Sequence, residues 1–254
     1  MTRFIRQAAV AASFVGLCAN AQAGIIKIPE GAFVAGSGLI TFSEKTLGTV
    51  NPTYAPADYG GGAGSPTVTF EGFFTGQSLG TVATCPPGAA VSGCVIGSPT
   101  GPLSLAAGAP NTSIVNDNAA PDSPVLSGTP TFNGPIAILF DVDLAGVGLS
   151  GGFFNAIGGT AITAFARDGT NLGQVVNTAT GIEFLGLVTD DGTEQIAGLL
   201  FSLVGPEPAG FGIDNVRFGR AGQVVPPGRV PEPGSLALLG LALAGLAYSR
   251  RWQA

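Results

Sequence analysis

From residue 134 to residue 219 apolar side chains recur at every second position. Over residues 135–144, Ile136, Ile138, Phe140, Val142 and Leu144 fall on one face of an extended chain, and Ala137, Leu139, Asp141 and Asp143 on the other. Successive side chains of a strand point to opposite faces, so this alternation predicts a strand with one buried side. Comparable runs at 147–154, 160–167, 172–176, 182–189, 195–204 and 211–218 predict further strands. Asp168-Gly169 stands between two neighbouring runs as a strong hairpin signal, and the chain is expected to turn at Asp191-Gly192 as well. Earlier in the chain only 38–42 and 67–71 carry a similar signal, the second with Phe73 and Phe74 just beyond Gly72. Between them lie tracts that support no regular element. Residues 51–66 include Gly60-Gly61-Gly62, and residues 85–133 hold eight prolines, with room for one or two short strands such as 102–105. No stretch has a helical period and no repeat recurs at a fixed spacing. The expectation is an all-β, antiparallel β-sandwich, jelly-roll-like, with long Gly/Pro-rich surface loops.

The two ends have a different character. Arg3 and Arg6 precede an apolar segment at 8–17 and Ala21-Gln22-Ala23, the order of a secretory signal peptide cut before Gly24. Cys18 does not turn this into a lipoprotein signal, because Leu17 occupies the position where a small residue is needed. At the other end, fifteen residues from 234 to 248 carry no charge, and their only hydroxyls are those of Ser235 and Tyr248 at the margins of the run. As a helix this run reaches roughly 22 Å, short of a ~30 Å hydrocarbon core, and so spans a bilayer only marginally. Arg250 and Arg251 follow it directly and are expected to stay cytoplasmic, leaving the rest of the chain outside. The division expected is 1–23 signal peptide, 24–220 β-sandwich body, 221–229 linker and 230–254 sorting signal with its transmembrane helix.

Val230-Pro231-Glu232-Pro233, then a short apolar run, then Arg250-Arg251, resembles the PEP-CTERM sorting signal of Gram-negative bacteria. Pro231 and Pro233 keep the tripeptide extended, a shape a processing enzyme can grip. The resemblance implies recognition by an exosortase, a membrane-embedded cysteine protease that removes the helix, and a membrane-tethered intermediate before release to the cell surface or medium. The segment 210–219 loosely resembles the last strand of lectin-like and galactose-binding-like sandwiches, which suggests extracellular polysaccharide as a partner.

Charge and residue types narrow the chemistry. Residues 24–233 carry six bases against sixteen acids, a net charge of −10, which disfavours nucleic acid as a partner. Histidine is absent, so Ser-His-Asp and Cys-His catalysis and histidine-ligated zinc are excluded. Cys85 and Cys94 remain as a pair after signal removal and are expected to form a disulfide in an oxidising compartment, two free thiols being the alternative. Asp141 and Asp143, two apart on one strand face, read as a solvated face, a Ca²⁺ site, or an acid/base pair for glycan chemistry. Alternation puts Asp214 on the face of Val216 and Phe218, where an inward carboxylate needs a backbone, arginine or Ca²⁺ partner. Tyr54 and Tyr59, in the first Gly-rich loop, are candidates for stacking on sugar rings. No cofactor is expected beyond that optional Ca²⁺. The functional expectation is a non-enzymatic surface or biofilm-matrix protein with weak glycan binding. The alternatives are a carboxylate-dependent glycan-active enzyme and a purely structural coat protein.

Overall fold

The computed structural model describes residues 24–117, 124–209 and 211–227. Fifteen strands lie among the described residues. The first eight are short: β1 (Ile25–Ile28), β2 (Gly38–Ile40), β3 (Thr53–Tyr54), β4 (Val68–Glu71), β5 (Gln77–Leu79), β6 (Val95–Gly97), β7 (Thr112–Asn116) and β8 (Pro124–Gly128). The rest form the long strands that alternation predicts: β9 (Ile136–Leu144), β10 (Gly146–Phe154), β11 (Thr160–Phe165), β12 (Asn171–Val176), β13 (Gly181–Thr189), β14 (Ile196–Leu203) and β15 (Gly212–Gly219). Asp168-Gly169 closes the hairpin between β11 and β12, whereas the turn at Asp191-Gly192 carries the chain from β13 to β14, which lie in different sheets.

The strands make a β-sandwich. One sheet runs β1-β13-β10-β15-β8-β7, with β2 also on β15; the other runs β12-β11-β14-β9-β4-β3. Every pairing between these strands is antiparallel. Val147, Leu149, Leu187 and Val216 from the first sheet meet Ile138, Phe140, Leu199 and Phe201 from the second in one fully buried core. As predicted, the even-numbered face of β9 supplies that core, while Ala137 and Leu139 turn to a second cluster behind the sheet.

The loops differ from the expectation of open surface tracts. Phe73, Phe74, Leu79, Val95 and the segment from Leu103 to Ala109 pack over the outer face of the second sheet, with Phe74 and Leu103 in one cluster with Ala197 and Leu200, while Cys85 to Cys94 between them reaches the main core. Consequently every residue of β14 is buried. Gly198 makes this cover possible, since a Cβ there would lie 2.7 Å from both Leu103 and Phe74. On the first sheet, Ile28, Phe33, Val188 and Val224 form a third cluster. The strand expected at 102–105 is replaced by a single bridge, Phe74 to Leu105, while the tracts expected to be irregular supply β3, β6, β7 and β8, three of which join the two main sheets. Tracts rich in proline and glycine thus fold as lids over sheets that are apolar on both faces.

Candidate functional site

Strand β15 carries Asp214, and its alternation breaks beside it. The register against β10 shifts where Ser150 pairs with Asp214 and Gly148 with Arg217, and Asn215 takes a positive φ of 49°. One extra residue inserted into a strand rotates everything beyond it by half a period. Phe211 and Ile213 before the bulge and Val216 and Phe218 after it all reach the core. Asp214 therefore does not share the inward face of Val216 and Phe218, correcting the alternation reading. It is half-buried, with its carboxylate accepting the Asn215 backbone N–H at 2.6 Å and Asn215 Nδ2 at 3.1 Å.

Asp141 and Asp143 each have a separate role. Asp141 Oδ1 accepts the Thr67 N–H at 2.8 Å, fastening the chain ahead of β4 to β9. Asp143 Oδ1 accepts from Arg167 Nε at 3.0 Å and Nη2 at 2.7 Å, while Arg167 Nη1 donates to the Phe140 carbonyl at 2.6 Å. This ion pair bridges β9 to the β11–β12 turn and is more than a third exposed on both sides, so it contributes at most ~1 kcal/mol. No group of three or more His, Cys, Asp or Glu side chains placed to hold a metal occurs among the described residues.

Tyr54 presents no face for a sugar, and Tyr59 is half-buried against the core. Tyr54 lies in β3 at 0% exposure, edge-on to Phe42 and Phe70, with Lys45 Nζ 4.8 Å above its ring. Burial, reinforced by the charges of Glu44 and Asp58, pushes its hydroxyl far above the ordinary tyrosine range. Tyr59 sits in a short 3₁₀ turn, Pro56–Tyr59, edge-on to Phe218, and its hydroxyl donates to the Pro66 carbonyl. Burial, with Asp141 adding to it, pushes that hydroxyl up to about 12. The stacking role expected of Tyr54 is corrected, and Tyr59 is drawn partly inward: apolar area on a Gly-rich loop is pulled into the nearest core. A small open cleft beside Phe218 is lined by Gly36, Gly38, Ser65, Pro66, Arg220 and Gln223 among others, and by none of the five expected residues.

Cys85 and Cys94 are joined as a disulfide, the pairing anticipated for an oxidising compartment. One carboxylate passed over in the sequence is more deeply placed than any of those predicted. Glu207, at 0% exposure, stands in a second Pro-Glu-Pro tripeptide, Pro206-Glu207-Pro208, on the β14–β15 connection. Its Oε2 accepts the N–H groups of Asn155 at 2.8 Å and Ala156 at 3.4 Å, and its Oε1 accepts Asn155 Nδ2 at 2.8 Å. The repetition of Pro-Glu-Pro was a signal in plain view.

The body ends in a clip. Val34 N–H donates to Gln223 O and Val225 N–H to Ala32 O, both at 3.0 Å, and Val224 enters the third cluster beside Phe33. The chain then continues toward Val230, Pro231, Glu232, Pro233, Arg250 and Arg251, which, like the expected signal peptide at 1–23 and the transmembrane helix, lie outside the described residues. No helix among the described residues is long and apolar enough to cross a membrane.

An all-β, disulfide-bonded body that ends in a C-terminal targeting segment defines the class: an exported protein sorted by its tail. The family model of the PEP-CTERM protein-sorting motif matches residues 229–251. The chain carries that motif, which implies processing by an exosortase and delivery to the cell envelope or surface. No curated protein matches the chain.

Proposed function

We propose that the processed body serves as a non-catalytic component of the cell surface or of the extracellular polysaccharide matrix. The observation that carries this reading is the sorting motif at 229–251 behind a complete sandwich. Three features support it. The expected catalytic carboxylates are spent on joining strands, the tyrosines on packing, and the mature chain is strongly acidic. On this reading any glycan contact is made by exposed loop backbone and hydroxyls, without an aromatic platform, and is accordingly weak.

Intact mass of the protein recovered from the surface and medium of its native host is the test. A chain beginning at Gly24 and ending near Pro233 is expected, co-sedimenting with the polysaccharide fraction. A recovered chain that retains Ala254 overturns the sorting, and a sorted chain wholly absent from the polysaccharide fraction overturns the matrix role.

A further inference from the structure

The chain contains Pro-Glu-Pro twice, at 206–208 and at 231–233. Only the second is followed by an apolar run that can be drawn against a membrane. A processing enzyme that grips this tripeptide could therefore bind the first copy but not convert it. In the folded body the first copy cannot be gripped. Pro206 and Pro208 are exposed, but the carboxylate between them is buried, held by Asn155 and Ala156, and the Glu207 carbonyl accepts the Ala90 N–H at 2.8 Å. It also precedes β15, whose eight residues run for about 26 Å before the chain turns toward its C-terminal clip.

We infer that Pro206-Glu207-Pro208 is a cryptic binding site for the sorting enzyme, closed by folding, so that a folded body has its tail processed faster than an unfolded one. The inference rests on the sorting reading above. In an unfolded chain twenty-three positions separate Pro208 from Pro231, a mean separation of roughly 25 Å and an effective concentration in the ~mM range. At that concentration the internal copy competes within the same molecule for the site that must engage the tail. With two equivalent copies, productive occupancy falls to about half. Chains whose body has folded escape this competition, and misfolded chains obstruct their own release.

The test uses two full-length chains that are both unfolded, so that stability does not enter. Ile138→Asp places a charge in the centre of the core, where Ile138 is fully buried. The second chain adds Pro206→Ala, Glu207→Ala and Pro208→Ala. Both are purified, checked for loss of near-UV dichroism, and presented to membranes carrying the enzyme, and release of the C-terminal segment is timed by mass. With enzyme sites saturated, the chain that keeps the internal tripeptide is expected to be processed up to about twofold more slowly than the one lacking it. Equal rates, or the reverse order, overturn the inference. Glu232→Ala in the wild-type chain separates the two readings: if the tail is still removed from that variant, the sorting reading itself fails.

Discussion

At the residue scale, what a side chain contributes depends on what it is packed against. The Tyr54 hydroxyl is buried without a hydrogen-bond partner in the structure, and a buried polar atom left in that state costs about 1–3 kcal/mol. Tyr54→Phe keeps the ring contacts with Phe42 and Phe70 and removes the oxygen. It is expected to raise stability by about 1 kcal/mol in a denaturant titration; a loss of that size would show that the hydroxyl is satisfied. Glu183 is the opposite case. Burial alone would raise its pKa, but Lys27, Thr178 and the Ala179 N–H hold the carboxylate, and the net effect is a pKa below the ordinary glutamate value. Glu194, bonded first by Arg220, is lowered likewise. A depressed folded pKa contributes stability that is present above the unfolded value and is lost as pH falls through the folded one. Melting temperature is therefore expected to drop as pH is lowered from about 5 to about 3, the range of unperturbed carboxylates and just below it. Glu183→Gln should flatten that dependence. Glu71, raised by burial, works in the other direction and tempers the drop without reversing it.

At the scale of elements, the lids account for most of what the loops do. The disulfide closes a short loop of eight residues between Cys85 and Cys94, and Cys94 lies in the main core while Cys85 packs against it. By loop-closure entropy, replacing both by serine is expected to cost about 2–3 kcal/mol. The oxidised protein should show no titratable thiol, and two free sulfhydryls would remove the cross-link from the account. The lid over β14 gives a sharper case. Gly198→Ala forces a methyl against Leu103 and Phe74, with the Ile138 carbonyl 3.1 Å away. Overpacking of this kind costs typically ~1–3 kcal/mol. A chemical-denaturation midpoint unchanged by the substitution would mean that the lid is not closely packed on the sheet.

At the scale of the whole molecule, the two ends of the body lie together. Residues 32–34 hold residues 223–225, so the tail leaves beside the segment that follows the expected start of the mature chain. Five residues separate Val225 from Pro231, which limits the tripeptide to about 20 Å from the clip. The folded body therefore stays close to wherever the tail is processed. Insertion of that tail depends on the basic pair behind it. Exchanging Arg250 and Arg251 for glutamate is expected to abolish the released form on a blot, while leaving the body's fold and melting temperature unaltered. A released form in undiminished amount would sink the sorting reading.

The long strands from β9 to β15 and both Asp-Gly turns were legible in the chain itself, because a period of two and a turn pair are properties of neighbouring residues. The sorting motif was legible for the same reason: Pro-Glu-Pro, the apolar run and the arginines are read in linear order. The bulge at Asn215, which reverses the facing of Asp214, was not legible, since nothing local distinguishes an inserted residue from a regular one. The burial of Tyr54 and Glu207 and the conversion of Gly/Pro tracts into lids depend on segments tens of residues away. Local pattern determined which residues form the long strands and where the chain is sent. Only long-range packing decided which side chains remain accessible, because burial is set by the whole surface brought against a residue and not by its neighbours in sequence.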